Sequence, residues 1–236
     1  GVQYTSSNPA VVKIEGTLAK PVADGTAQVT ATLGALKATA EVTVKEMAMP
    51  SPVSFKNEML AALTKAGWLS ALIPEQYGGS GLPMTAATVS MEEINRNGGT
   101  AGFCHGQMYN MGTLLRHGSE AQKQKFLPKI ASGELRLQSM GVTEPTTGTD
   151  TTKLKTVAVK KGDRYVVNGQ KVFISRMNHT DLMILLARTT PVDQVKRKSE
   201  GMSIFMVDVR EAIGKGLTIT PIRNMVNQDT NQLFFD

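Results

Sequence analysis

The stretch VTEPTTGTD, residues 142–150, gathers four hydroxyls, two carboxylates, one Gly and one Pro between an apolar run and a basic one. It is too polar and too rich in turn formers for a buried strand, so it reads as a loop. Thr143, Thr146, Thr147 and Thr149 offer hydroxyl donors and acceptors, and Gly148 lets backbone N–H groups come close to a ligand. Amides and hydroxyls of this kind suit a phosphate or the polar edge of a heterocycle; for a loop taken alone, a solvated turn is the commoner outcome. Other chemically suggestive sets are weaker. Ser175, His179 and Asp181 crowd together in sequence without a G-x-S-x-G turn, which argues against a hydrolase triad. His105 beside Cys104 fits helix packing better than a thiol catalyst, and the three His residues and single Cys show no metal-ligand spacing.

Composition sets limits on the partners. The chain has 236 residues, 41% of them hydrophobic, a net charge of +6 and no apolar run as long as a membrane span. A basic chain permits an anionic partner such as a phosphorylated ligand. Its cations are dispersed and its aromatics are only 5%, which disfavours nucleic acid. The start, GVQYTSSNPA, has neither Met nor signal peptide and reads as already cut.

Three kinds of segment must position the loop. Residues 1–45 alternate small or apolar residues with Thr, Lys and Glu at period two, and runs 26–33 and 37–44 flank a turn at Gly34–Ala35, which predicts an antiparallel sheet with one wet face. Residues 46–57, with MAMPSP, read as a linker. Residues 58–136 have helical periodicity. Phe55, Met59, Leu60 and Leu63 form one face ended by Gly67, Thr85 caps a helix to Arg96, and a third helix runs from about Thr100 to Arg116. Ser119 and Gln122 have capping-box spacing, Pro128 should kink or restart that fourth helix, and Gly133 should close it. Residues 137–236 return to strands: runs on either side of a KGD turn, a tight hairpin expected at Asn168–Gly169, then DLMILLA, MSIFMVD, LTITPI and NQLFFD, a series that predicts a small barrel or sandwich.

The ordered run MGVTEPTTGTD, DRYVVNGQKVFIS, DLMILLART resembles the middle domain of the acyl-CoA dehydrogenases, and AGWLSALIPEQYGGSGL through EEINRNGG to RHGSEAQKQKFLPKIASGE resembles their N-terminal helical domain. The resemblance covers about residues 58–236. It implies a multi-domain α+β fold with an all-α domain followed by a middle β-barrel. It also implies FAD as cofactor, with Met140, Gly141, Val142, Thr143, Gly148, Thr149, Phe173, Ile174 and Ser175 at the flavin and its phosphates. Val142 and Thr143 fall near the pyrimidine edge, Phe173 where most members carry Trp, and Ser175 where most carry Thr. Thr149 also faces the substrate, an acyl-CoA. The usual loop is Glu-Pro-Gly-Ala-Gly-Ser-Asp; here Thr146 and Thr147 replace Gly and Ala, and Lys153 stands where a small residue is common.

The implied reaction is α,β-dehydrogenation of the thioester: a carboxylate takes the α proton while the β hydrogen leaves as hydride to the flavin. Electrons then pass to an electron-transferring flavoprotein. The family's base is a Glu of a C-terminal helical bundle that also builds a homo-oligomer. Glu75, Glu92, Glu93 and Glu144 match no catalytic position, so both the catalytic Glu and that bundle are expected to be absent from residues 1–236, and a catalytic residue is not assigned. Residues 1–45 resemble a bacterial group-2 Ig-like domain lacking its first strands. Such a module implies an extracytoplasmic place, whereas the dehydrogenase portion implies the cytoplasm. Two readings follow: a flavoenzyme fragment with an Ig-like leader, joined naturally or by chimeric assembly, or a surface or interaction protein carrying a non-catalytic dehydrogenase scaffold.

Overall fold

A computed structural model describes residues 2–44, 61–225 and 229–236. The chain divides into two compact units, Gly1–Lys56 and Asn57–Asp236. The expected linker, residues 46–57, lies outside the described residues, as do Phe55, Met59 and Leu60.

The first unit holds β1 (Gln3–Ser6), β2 (Val12–Glu15), β3 (Leu18–Pro21), β4 (Gly25–Leu33) and β5 (Leu36–Val44). Period-two alternation turns Ala27 and Val29 inward and Thr26, Gln28 and Thr30 outward. β1, β4 and β5 pair antiparallel in that order, and β2–β3 is a separate hairpin. Val11, Val12 and Ala27 form a small core with Val29, Val42 and Val44. The antiparallel sheet is as expected from the sequence, but an Ig-like sandwich is not shown. β3 is exposed along its whole length, so the hairpin supplies one inward strand rather than a second covering sheet.

In the second unit, residues 61–65 are helical and Gly67, at φ 78°, ends that run. α1 (Met84–Arg96), α2 (Gly102–His117) and α3 (Glu120–Ala131) follow. Pro83, not Thr85, is the residue that enters α1; its fixed φ of −72° starts the helix earlier and leaves Thr85 inside. Ser119 and Gln122 make the reciprocal capping box. Pro128 neither stops nor restarts α3, because the neighbouring Leu127 and Ile130 are wholly buried and hold the helix in place.

β6 (Leu137–Gly141), β7 (Val157–Lys161), β8 (Arg164–Ser175), β9 (Leu182–Arg188), β10 (Met202–Asp208), β11 (Leu217–Pro221) and β12 (Thr230–Phe235) form a curled seven-stranded sheet, with a helical turn, α4 (Val209–Ala212), after β10. The strand path is β10-β9-β7-β8-β12-β11, and β6 joins parallel to β9. The path has two ends, β10 and β11, where a barrel was expected. Helices and sheet share a core: Ile73, Met111, Leu127 and Ile130 pack with Leu137, Leu182 and Ile184. Among the described residues no helix is long and apolar enough to cross a membrane.

The hairpin expected at Asn168–Gly169 does not exist. The turn falls at Gly162–Asp163, and β8 runs through Asn168–Gly169 as one 12-residue strand. Glycine is needed there for close approach. A Cβ on Gly169, at φ 152°, would sit 2.5 Å from Thr156 Oγ1 and 2.7 Å from Thr156 Cα. Gly169→Ala should therefore destabilise the chain by about 1–3 kcal/mol, the usual cost of overpacking. A urea titration of the variant against wild type checks this; an unchanged midpoint would refute the close-approach reading.

Candidate functional site

β6 delivers the chain to the loop beside the middle of β8, and four bonds fasten the two together. Val172 N–H donates to Thr143 O (2.9 Å), Lys171 Nζ to Val142 O (3.0 Å), Ser139 Oγ to Ser175 O (2.7 Å) and Lys171 Nζ to Glu144 Oε1 (2.9 Å). The segment 139–144, which includes Met140, Gly141, Val142 and Thr143, is thus fastened alongside residues 171–175, which include Phe173, Ile174 and Ser175. Gly141 is buried, with Met183 and Leu185 close to where a Cβ would stand.

The strand is irregular at this place. Ile174 pairs with Asn231 and Lys171 with Leu233, so Val172 and Phe173 together face Gln232 in a β-bulge. Phe173 takes φ 58°, a conformation that bulky residues avoid and that costs about 1–3 kcal/mol. The bulge turns both Lys171 and Val172 inward and sets Phe173 outward, 66% exposed. Ser175, two residues on, is exposed on the same side. Among the described residues Arg176 is the other non-glycine at positive φ, 67°. Its guanidinium carbon lies 4.0 Å from the Phe103 ring centroid, and burial lowers its pKa.

Beyond Thr143 the chain makes a tight turn, in which Glu144 and Thr147 exchange backbone bonds of 3.0 and 3.1 Å. Thr147 is buried and donates to Lys153 O (3.2 Å), so this hydroxyl serves the loop itself. Neither Thr146 nor Thr147 takes a positive φ, so the β-branched pair fits the turn. Gly148 and Thr149 are exposed, and a Cβ on Gly148 would meet open space. The structure brings neither of them against β8 by a described hydrogen bond.

The sequence reading missed the residues that hold all this. Glu144 and Lys171 are both buried, with side chains 3% and 0% exposed. The carboxylate also accepts from Lys155 N (2.6 Å) and Thr156 N (2.8 Å). Burial pushes the Glu144 carboxyl up, but the bonds from Thr156, Lys155 and Lys171 outweigh it and hold the group below the usual carboxylate range. Burial pushes the Lys171 ammonium down, opposed in part by Glu144. The signal was present as a Glu at the head of the loop and a Lys in the strand, but no periodicity ties residues 27 apart.

The competing sets do not assemble. Asp181 accepts from Arg136 N (2.7 Å) and from Arg210 Nε (2.6 Å), while His179 lies 3.5 Å from Asp229. Cys104 is buried, and burial pushes its thiol up to about 11, which leaves it unreactive. No group of three or more metal-ligating side chains occurs among the described residues. A cavity of about 540 Å³ lined by Leu63, Trp68, Leu82 and Val89 belongs to the helices and contains none of the loop residues. A second, of about 700 Å³, is lined by Thr146, Lys153, Lys155, Val157, Arg188 and Lys198 and adjoins the loop.

Comparison with known proteins decides the family. A family model for the acyl-CoA dehydrogenase N-terminal domain matches residues 34–134, and one for the middle domain matches residues 139–236. The chain belongs to the acyl-CoA dehydrogenase family. The first match begins within the segment that resembled an Ig-like module and takes in β5. The acyl-CoA dehydrogenase FadE26 of Mycobacterium tuberculosis is 34% identical over 178 residues, 75% of this chain and 43% of that protein. An acyl-CoA dehydrogenase from Geobacillus kaustophilus superposes with a TM-score of 0.68 at 32% identity, over 81% of this chain and 51% of that one. A chain from the structure of the electron transferring flavoprotein of Acidaminococcus fermentans superposes with a TM-score of 0.66 at 29% identity, over 76% and 47%. The chain spans about half the length of the proteins it matches. Members of the acyl-CoA dehydrogenase family are FAD flavoproteins.

Glu144→Gln should leave the buried Lys171 ammonium without its counter-charge and cost about 3–5 kcal/mol near neutral pH. The sign with pH follows from the depressed Glu144 value. Its contribution is complete above the unfolded carboxyl pKa of about 4.3 and is lost as pH falls through the folded value. The gap between variant and wild type should therefore shrink on acidification below about pH 4. Urea titrations at neutral and acid pH measure it; a gap independent of pH would show that the ion pair is not its source.

Proposed function

We propose that this chain is the flavin-holding portion of an FAD-dependent acyl-CoA dehydrogenase. The observation that carries the reading is Phe173. A strained backbone and a bulge hold its apolar ring in the open, on the same side of the strand as the exposed Ser175 and one residue after Val172, whose amide binds the Thr143 carbonyl. A soluble surface gains nothing from such a ring, whereas a planar heterocycle stacks on it. The residues fit FAD: Phe173 offers a flat face, Thr143 and Ser175 offer hydroxyls, and the N–H groups of Val142 and Thr143, whose carbonyls are taken by Lys171 and Val172, offer donors at the heterocycle edge. Gly148 and Thr149, open to solvent, suit the phosphates and the thioester side of the cleft. FAD when bound supplies the two-electron oxidant for α,β-dehydrogenation of the acyl-CoA.

The chain's own residues bind and orient. Ser175 is placed to donate to the flavin edge, and the Glu144–Lys171 pair keeps Val142 and Thr143 at a fixed distance from it. Glu144 is buried and engaged in the ion pair and two amide bonds, so it is unsuited to act as the base. The base, in this reading, comes from outside residues 1–236. The substrate is an acyl-CoA and the electron acceptor an electron-transferring flavoprotein, as the names of the matched proteins support. Domain limits at 58–136 and 137–236, a cytoplasmic setting, a homo-oligomer of the full-length protein and a partial Ig-like origin for β1–β4 belong to the same proposal.

Titrating the chain into FAD and following flavin fluorescence tests it. Saturable quenching is expected, and Phe173→Ala should weaken binding about tenfold or more, in line with about 1–3 kcal/mol for stacking of a ring system on an aromatic residue. Equal binding by wild type and variant, or none by either, would overturn the assignment of this surface.

A further inference from the structure

β5 is the longest strand of the first unit, equal to β4, and it ends the sheet. Its nine residues are exposed at all but two positions, and no other described strand pairs with its outer side. The opposite edge, β1, is only four residues long. A long open edge presents unpaired N–H and C=O groups that can pair with another strand.

The register shows which groups those are. The turn between β4 and β5 has two residues, Gly34 and Ala35, with Gly34 at φ 57° as a Gly-first hairpin turn requires. Leu33 and Leu36 close it as a hydrogen-bonded pair, and pairs alternate from there. Leu36, Ala38, Ala40 and Val42 therefore bond to β4, while Lys37, Thr39, Glu41 and Thr43 direct their N–H and C=O outward. Two observations agree. Gln28, partner of Glu41, sends its carbonyl the other way, to Ser7 N at 2.9 Å. The Thr30 and Thr39 hydroxyls meet at 3.0 Å, as the closer, non-hydrogen-bonded pairs allow.

The outward groups and charges of LKATAEVTV are self-complementary. An antiparallel second copy centred on Thr39 sets Thr39 against Thr39 of the partner subunit as a hydrogen-bonded pair on a two-fold axis. In that register Lys37 faces Glu41 of the partner subunit, and the symmetry repeats the pair. Leu36, 73% exposed, comes opposite Val42 of the partner subunit. Shifting by two residues keeps the backbone bonds but separates the charges. Within one chain Lys37 and Glu41 lie about 13 Å apart along the strand, and neither has an ion-pair partner among the described residues.

We propose that β5 is a homodimer edge, joining two copies of this chain through an antiparallel β5–β5 pair that places Lys37 against Glu41 of the partner subunit. The interface is isologous, as two-fold symmetry requires, and closes on itself. It is independent of the flavin site, so either reading can fail without the other.

Sedimentation equilibrium of the full chain tests it, with circular dichroism as a check that each variant is folded. Wild type should show a reversible monomer–dimer equilibrium that weakens with salt. Lys37→Glu and Glu41→Lys each turn two attractive cross-strand pairs into repulsive ones and should weaken dimerisation about tenfold or more. Mixing the two variants in equal amounts restores both opposite-charge pairs, so the mixture should associate as heterodimers with near wild-type strength. A wild type that stays monomeric, a single variant that dimerises as well as wild type, or a mixture no stronger than its parts would each overturn the proposal. The first of these outcomes would mean that another segment of chain covers the edge, and the second that two copies associate through another surface.

Discussion

The Glu144–Lys171 ion pair is the constraint on which the candidate site depends. Two charges have been taken out of water: Lys171 is offset by Glu144 2.9 Å away, and Glu144 by the Thr156 and Lys155 bonds together with Lys171. The pair does more than cancel charge. Glu144 sits at the head of the loop and also binds the amides of Lys155 and Thr156, at the loop's far end. Lys171 reaches from β8 to the Val142 carbonyl. One buried cluster thus closes the loop from both ends and fixes it to the strand that carries Phe173 and Ser175. Replacing either charge removes the ionic restraint between the head of the loop and the strand, leaving the backbone bonds of Thr143 and Thr147.

The same strand pays for its functional face in local strain. Lys171 points inward to serve the pair, and the bulge opposite Gln232 then lets Val172 turn inward as well. The consequence is Phe173 at positive φ with its ring outward. A regular strand would place Lys171 and Phe173 on one side and could not bury the first while presenting the second. Close packing elsewhere supports this arrangement: Gly169 leaves no room for a side chain against Thr156, whose amide is held by Glu144.

Local signals were legible in the sequence where a few neighbouring residues decide the outcome. The Ser119–Gln122 capping box, the Gly34–Ala35 turn and the strands 182–188 and 202–208 are of that kind. Signals failed where tertiary contacts override local preference. Asn168–Gly169 looks like a hairpin turn but is a strand interior, because Gly169 answers to Thr156 thirteen residues before it. Pro128 looks like a helix breaker but lies within α3, because Leu127 and Ile130 are locked in the core. For the site, the ordered motifs named Val142, Thr143, Phe173 and Ser175, and the structure fastens the backbone of the first two to the strand that carries the last two. The ion pair beneath them was invisible because it links residues distant in sequence, and the positive φ of Phe173 has no local signature at all.

The central claim is that Glu144 and Lys171 hold the loop and the bulged strand as one unit. Amide hydrogen exchange of wild type and Lys171→Met measures this most directly, read at Lys155, Thr156 and Val172, with the β9 amide of Leu185 as an internal control. The account predicts that exchange at the three loop-linked amides speeds up together in the variant while Leu185 stays protected, because the restraint is lost without loss of the core. Unchanged protection at Lys155, Thr156 and Val172 in a folded variant would contradict it.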